Sequence, residues 1–390
     1  MPQDLTNFAR LLYPCGTDVF LRDYLEKKCL HVSGNKYVRS LLSIETMEHI
    51  LNTVRLPGDA LTIIDSGDHE QVLTKAGLVD PEQARTAWHA GKTLIFNGLH
   101  KFWQPLTTLC RQLETELHLP VQTNIYMTPP KAQGFKAHVD THDVFIVQAE
   151  GKKHWRVYSD PVYLPYHNEK YTAKDLPENF GTPVIDTVLE QGDVLYIPRG
   201  WIHEAETVAE RSLHITIGLL SYTWRDYLHQ LIDKMGAENR TFRQSLPEDF
   251  LSGAMPPSKR NKLVEKYLNT ASAGAIDASR QAMLEKLVSS HILPAGAGLT
   301  LSGEEAKAAL TDVYEKWPDL PIYIVQENQD ISVLFAGKKI TFPFFIEPAL
   351  SFIINSPSFT RQDLPANLDT DEKTVLLKRL IREGLIRRLP

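Results

Sequence analysis

A mainly β core in residues 120–220, followed by helices and a small mixed unit, is the architecture this 390-residue sequence predicts. Three observations carry it. Between 120 and 220, apolar and polar residues alternate with the period of two that sends successive strand side chains to opposite faces. Gly, Pro, Asn and Asp separate these runs. From about Tyr222 the period becomes helical, and beyond about His291 strand runs lead into three helix candidates and a last strand, the order of a winged helix.

In chain order, the first 115 or so residues mix helical and short extended patterns. They end in Gln104–His118, an amphipathic helix candidate. Five strands follow: VQTNIYMT from 121, DVFIVQAE from 143, KKHWRVY from 152, DVLYIP from 193 and SLHITIGLL from 212. Asn124, Tyr126 and Thr128 alternate with Thr123, Ile125 and Met127. Ser212, His214 and Thr216 alternate with Leu213, Ile215 and Ile217. Each of these strands therefore has one polar face. Solvent accounts for a polar face as simply as a polar barrel interior does. Helices are expected over Tyr222–Met235 and Asn261–Leu287. YIVQEN, ISVLFAG and KKITFPF then read as short strands. Glu347–Asn355, Thr360–Leu364 and Thr370–Arg382 read as helices, the last with Asp369 or Thr370 as N-cap and Gly384 at its C-terminal end, and LIRRLP closes as a strand.

Composition mostly excludes. Hydrophobic residues make up 43% and charged residues 23%, ordinary for a globular chain with room for a sizeable core. No apolar run nears the roughly 20 residues of a membrane span, and the first residues lack the pattern of a secretory signal. Three cysteines, Cys15, Cys29 and Cys110, lie far apart, which argues against a disulfide framework and for a reducing, cytoplasmic setting. A net charge of −6 excludes a globally basic nucleic-acid binder. The Gly-Lys-Thr at 91–93 is no phosphate loop, because Thr86 stands where the first glycine is needed. Arg379, Arg382, Arg387 and Arg388 give the C-terminal zone a basic edge, but Asp369, Asp371, Glu372 and Glu383 lie among them and weigh against nucleic acid.

The chemistry concentrates in HVD at 138–140 and GDVLYIPRGWIHE at 192–204. If HVD is extended, His138 and Asp140 share a face. The second segment is an apolar strand, a turn at Pro198 and Gly200, and then His203. Two histidines and a carboxylate at one barrel mouth would form a facial triad, which leaves metal positions open for oxygen and a bidentate co-substrate. An isolated H-x-D is more often a surface or core histidine. The polar faces of the neighbouring strands raise its weight. Lys153 shares parity with Trp155 and Val157, so it falls on the apolar-looking face, where a lysine is costly unless it meets an anion. The alternative is that it reaches back to water near the Gly151 turn. His142, His154 and His167 are weaker ligand candidates, and the aromatics read as packing.

The run NIYMTPPKAQGFKAHVDTHDVFIVQAEGKKHWRVY, with EQGDVLYIPRGWIHEA and SLHITI, resembles the JmjC ribosomal oxygenases, Fe(II)/2-oxoglutarate-dependent protein hydroxylases of the cupin superfamily. The resemblance implies a double-stranded β-helix core, a helical dimerisation region and a C-terminal winged helix. These are expected at 1–228 (core 120–220), 229–292 and 293–390. It implies Fe(II) on His138, Asp140 and His203, and 2-oxoglutarate held by Lys153 on a strand carrying Asn124 and Tyr126, with His214 and Thr216 lining the pocket. O2 is the second co-substrate. Tyr126 and Gly218 stand toward the protein substrate. The chain is mixed in two places. Histidine-hydroxylating members carry serine where Gly218 stands, and bacterial arginine-hydroxylating members carry arginine where Lys153 stands.

The expectation is a homodimeric hydroxylase acting on an arginine or histidine of a ribosomal protein. A precursor peptide or another protein as substrate is the second reading. A non-catalytic cupin binding module is the third, and the complete triad argues against it.

Overall fold

The computed structural model describes residues 6–65, 68–70, 74–132, 136–159, 162–291, 312–327 and 329–389. The chain divides into two compact units, Met1–Ser221 and Tyr222–Pro390.

The first unit is built on a nine-stranded sheet. Its early strands are β1 (Leu30–Val32), β2 (Leu61–Asp65) and β3 (Asp68–Glu70). A separate two-stranded ladder joins β4 (Thr74–Lys75) to β5 (Leu78–Val79). The sheet continues with β6 (Thr93–Asn97), β7 (Val121–Thr128), β8 (Asp143–Val157), β9 (Ile185–Leu189), β10 (Val194–Ile197) and β11 (His203–Leu219). The order is β1-β10-β8-β11-β7-β6-β2-β3, with β9 on the free part of β8. All of its described pairings are antiparallel.

Parity sorts the two faces. Leu213, Ile215, Ile217 and Leu219 of β11, with Ile125, Phe145 and Val147, join the large core that includes Leu106, Leu109 and Leu113 of the helix Gln104–Leu117. The opposite face carries a smaller cluster of Val144, Ile146, Trp155, Val157, Leu195 and Ile197. The second face is the one that matters for chemistry, because its polar members stand beside this apolar floor.

Two strands are longer than the sequence pattern indicates. DVFIVQAE and KKHWRVY are one strand, β8, running through Gly151 at φ +68°. A Cβ at Gly151 would lie 1.9 Å from the Arg211 carbonyl oxygen, so only glycine lets the strand continue past the irregular register opposite it. β11 begins at His203 rather than Ser212. Its first half, with Glu204, Glu206 and Glu210, lacks the apolar alternation that marks a strand, yet it pairs with the second half of β8.

In the second unit the helices Trp224–Glu238 and Ala273–Ser289 share a core of Leu231, Met235 and Ala275. Thr223 and Asp226 form a reciprocal cap at the start of the first. The single helix expected over Asn261–Leu287 is two, Pro257–Leu268 and Ala273–Ser289. Asn269–Ser272 breaks it because the Ser272 side chain accepts from the Ala275 N–H and starts the second helix. Three antiparallel strands follow, β13 (Tyr323–Glu327), β14 (Asp330–Phe335) and β15 (Lys338–Pro343). They come after β12 (Val313–Lys316), which sits between β16 (Phe359–Thr360) and β17 (Ile386–Arg388).

Helices Glu347–Asn355 and Thr370–Glu383 pack Leu350, Ile353, Leu377 and Leu380 into one core with Val333 and Phe335. Asp369 caps the second and Gly384, at φ +83°, ends it. Thr360–Leu364 is not the expected helix. Asp363 folds back onto the Thr360 N–H and hydroxyl, which closes one 3-10 turn after β16. The expected boundary at 293 lies outside the described residues.

Candidate metal centre

His138 is not in a strand. It lies in the segment before β8 and makes a single two-bond bridge with His203: His138 N–H donates to the His203 carbonyl at 3.1 Å, and His203 N–H returns to His138 at 2.9 Å. The Gly200 N–H donates to the Asp140 carbonyl at 2.9 Å. Gly200 has φ +83°, and a Cβ there would lie 1.9 Å from the Val162 carbonyl oxygen, so the turn before His203 requires glycine. Behind it, the Arg199 Nη2 pairs with Glu26 at 2.6 Å. The Tyr196 hydroxyl donates to the buried Asp143 carboxylate at 2.5 Å. The ligand-bearing segments are therefore held to each other by backbone bonds and a buried polar network.

One ligand atom from each of His138, Asp140 and His203 lies within 4.8 Å of the others. His203 Nε2 and Asp140 Oδ2 are 3.5 Å apart. His138 Nδ1 faces the Lys136 carbonyl at 2.9 Å and His203 Nδ1 the Trp201 carbonyl at 3.1 Å. Both contacts suit an Nδ1–H tautomer and leave Nε2 lone pairs for a metal. Burial, then the neighbouring His138, pushes His203 down to about 4, so its imidazole is neutral at pH 7. Burial raises Asp140, but His203, His142 and His138 more than offset it and hold the carboxyl below its ordinary value. Two imidazole nitrogens and one carboxylate oxygen fit a facial metal triad.

The pocket beside the triad is lined by Tyr126, Ile146, Lys153, Trp155, Ala205, His214 and Thr216. Register explains the grouping: Tyr126 pairs with His214 and Asn124 with Thr216 across β7 and β11. The Tyr126 and His214 rings stack with centroids 4.7 Å apart. Lys153 is 2% exposed, and among the described residues its hydrogen bond is to Thr128 Oγ1 at 3.2 Å. Burial pushes its ammonium down to about 7. Burial, then Lys153, holds His214 well below the ordinary histidine value, and burial, then Asp140, raises the Tyr126 hydroxyl.

Among the expected site residues, His138, Asp140, His203, Lys153, Tyr126, His214 and Thr216 meet around this one pocket. Asn124 is not in its lining, and its Oδ1 accepts from the Gly98 N–H at 3.1 Å. Gly218 lies further along β11, where a Cβ would come within 2.6 Å of the His142 ring. Trp155, Ile146 and Ala205 were missed. Trp155 shares Lys153's parity and, as a packing role expects, belongs to the apolar cluster beside the pocket as well as to its lining. His154 is engaged with Asp186 on the outer face.

Residues 99–227 match the family model described as JmjC domain, a span that includes the triad and the pocket. The chain carries a JmjC domain. It is 30% identical over 285 residues to the "Bifunctional lysine-specific demethylase and histidyl-hydroxylase NO66" of Drosophila persimilis, covering 67% of this chain and 40% of the relative. It is 30% identical over 278 residues to "Ribosomal oxygenase 2" of Rattus norvegicus, covering 67% of this chain and 59% of the relative. The NO66 protein of Dictyostelium discoideum is 27% identical over 424 residues, covering 97% of this chain and 81% of the relative. The JmjC chain thus spans 40% and 59% of the first two relatives' lengths. The crystal structure of the Escherichia coli ribosomal oxygenase YcfD is similar in fold, with TM-score 0.61 at 19% identity over 96% of this chain and 98% of that one. YcfD has also been solved in complex with cobalt and 2-oxoglutarate. Among the described residues no helix is long and apolar enough to cross a membrane.

Proposed function

We propose that this JmjC protein is an Fe(II)- and 2-oxoglutarate-dependent oxygenase that hydroxylates a side chain of a ribosomal protein, an arginine or a histidine. The observation that carries the reading is a buried Lys153 that pairs with no acid among the described residues, in the same pocket as a His-Asp-His cluster. A metal triad alone serves many reactions. A cation in an apolar wall beside it calls for an anionic ligand that also reaches the metal. When bound, Fe(II) with 2-oxoglutarate and O2 supplies the oxidation that inserts oxygen into a C–H bond, with succinate and CO2 as the other products. His138, Asp140 and His203 would hold the metal. Lys153 binds the far carboxylate of the co-substrate, with Thr216, Tyr126 and His214 beside it. Asn124 supports the strand through Gly98, and Gly218 with Tyr126 lies toward the substrate.

The relatives' names favour a ribosomal protein as substrate. In the second unit, Trp224, Leu228 and Ile232 are exposed at helical spacing on one helix. This favours a homodimer through the region 229–292 and its flank. The C-terminal region 293–390 we read as a winged-helix docking module. Arg387 pairs with Glu315, and Arg388 lies 3.4 Å from Asp312, so part of its basic edge is already matched by acids.

Intact-mass spectrometry of ribosomal proteins is the test, comparing cells lacking this protein with cells carrying the wild type or His138→Ala. One added oxygen on a single ribosomal protein, present only with the wild type, is expected. No difference, with succinate still released from 2-oxoglutarate in vitro, would move the substrate to a precursor peptide or another protein. No succinate release at all would leave a non-catalytic binding module.

A further inference from the structure

Two buried side-chain nitrogens of pocket-lining residues have no hydrogen-bond partner among the described residues: Nε1 of Trp155, a residue 5% exposed, and Nδ1 of His214, 2% exposed. Both residues line the pocket with Lys153. A buried indole N–H normally finds an acceptor, and it can only donate. The Trp155 ring lies close to parallel with the His203 ring, centroids 6.2 Å apart, and meets His214 edge to face at 5.4 Å. Lys153 Nζ is 6.0 Å from its centroid. Lys153 has three N–H groups, and among the described residues one hydrogen bond to Thr128. Lys153 and Trp155 thus place two donor groups, two residues apart on one strand, among the residues that line this pocket. The two oxygens of one carboxylate can accept from two such donors, each at roughly 2.9 Å.

We propose that Trp155 is a co-substrate-binding residue, its Nε1–H donating to the carboxylate that Lys153 neutralises. This rests on the 2-oxoglutarate reading above. It assigns the ring a role that packing alone would leave to phenylalanine.

Trp155→Phe keeps a ring against His203 and deletes the donor. Isothermal titration of 2-oxoglutarate into the Zn(II)-loaded full chain should show affinity weakened about tenfold, with Zn(II) affinity unchanged. In the wild type, one of the six indole N–H resonances, assigned to Trp155 by its absence from the variant or by sequential assignment, should move downfield when 2-oxoglutarate is added. Wild-type-like affinity in Trp155→Phe, or an indole resonance that stays in place, overturns the assignment alone. A wild-type protein that binds no 2-oxoglutarate overturns the underlying reading, and this assignment with it.

Discussion

On the outer face of β8, Lys152, His154 and Arg156 each meet an acid: Glu190 at 2.7 Å, Asp186 at 2.5 Å and Glu206 at 3.1 Å. On the inner face, Lys153, Trp155 and Val157 are buried, and among the described residues Lys153 meets no acid. The two lysines are neighbours in sequence and opposite in meaning. An exposed pair in water contributes little whichever acid is nearby. A buried ammonium without a counter-ion is costly, and a fold keeps one when a ligand completes it. The inner face thus stores unfulfilled polar capacity, while the outer face is already satisfied.

The sharpest way to break that contrast is at the metal. His138→Ala removes one of the three proposed ligands and should weaken Co(II) or Fe(II) binding by at least about 100-fold, with 2-oxoglutarate turnover falling to background. Metal titration followed by absorption would check it. Retained tight binding would mean that His142 or another group ligates instead. Lys153→Met comes next. It should weaken 2-oxoglutarate binding by roughly 10–100-fold, the size of a lost charge-assisted bond. It should also leave the ligand-free protein as stable or more stable, because the variant buries no unpaired charge. Calorimetric titration and a thermal melt on the same samples separate the two effects.

The pH dependence sharpens the contrast further. Burial pushes the Lys153 ammonium down to about 7 from an ordinary 10.5. Between these values the unfolded chain holds the proton and the folded, ligand-free chain does not. Stability from this group therefore rises with pH through that window, and is lowest below about pH 7, where both states are protonated. A bound carboxylate reverses the preference and restores the proton. Binding of 2-oxoglutarate near pH 8.5 should take up about one proton, visible as enthalpies that differ between buffers of different ionisation heat. Lys153→Met should abolish the uptake.

Much of this was legible before the fold was known. Strand parity put Lys153 on one face with Trp155, His214 on one face with Thr216, and Asn124 on one face with Tyr126, because a period of two holds within each strand, and the family resemblance, not parity, brought these faces to one pocket. What parity could not reach was contact between segments distant in sequence. His138 and Asp140 converge on His203 through a backbone bridge and a glycine turn, not through a shared strand. Asn124 has the parity of the pocket but spends its side chain on Gly98. The first half of β11 is held by its pairing with β8 and by no hydrophobic pattern of its own. Trp155 packs in an apolar cluster, as an aromatic on an apolar face is expected to, and parity cannot show that its nitrogen lacks a partner among the described residues.

The smallest expected effect is on the outer face, and it is the control that gives the others their meaning. Lys152 pairs with Glu190 at 2.7 Å, with both side chains substantially exposed. In Lys152→Met the carboxylate returns to water, and the entropy of holding two long side chains together is recovered. The melting temperature should stay within about 1 °C of the wild type, and 2-oxoglutarate affinity within about twofold, since the change lies across the sheet from the pocket. A large loss of affinity would mean that removing either lysine disturbs the strand as a whole. The Lys153→Met result would then report on folding of β8 and not on recognition of the co-substrate. An unchanged Lys152→Met beside a strongly weakened Lys153→Met would tie recognition to one side chain on one face.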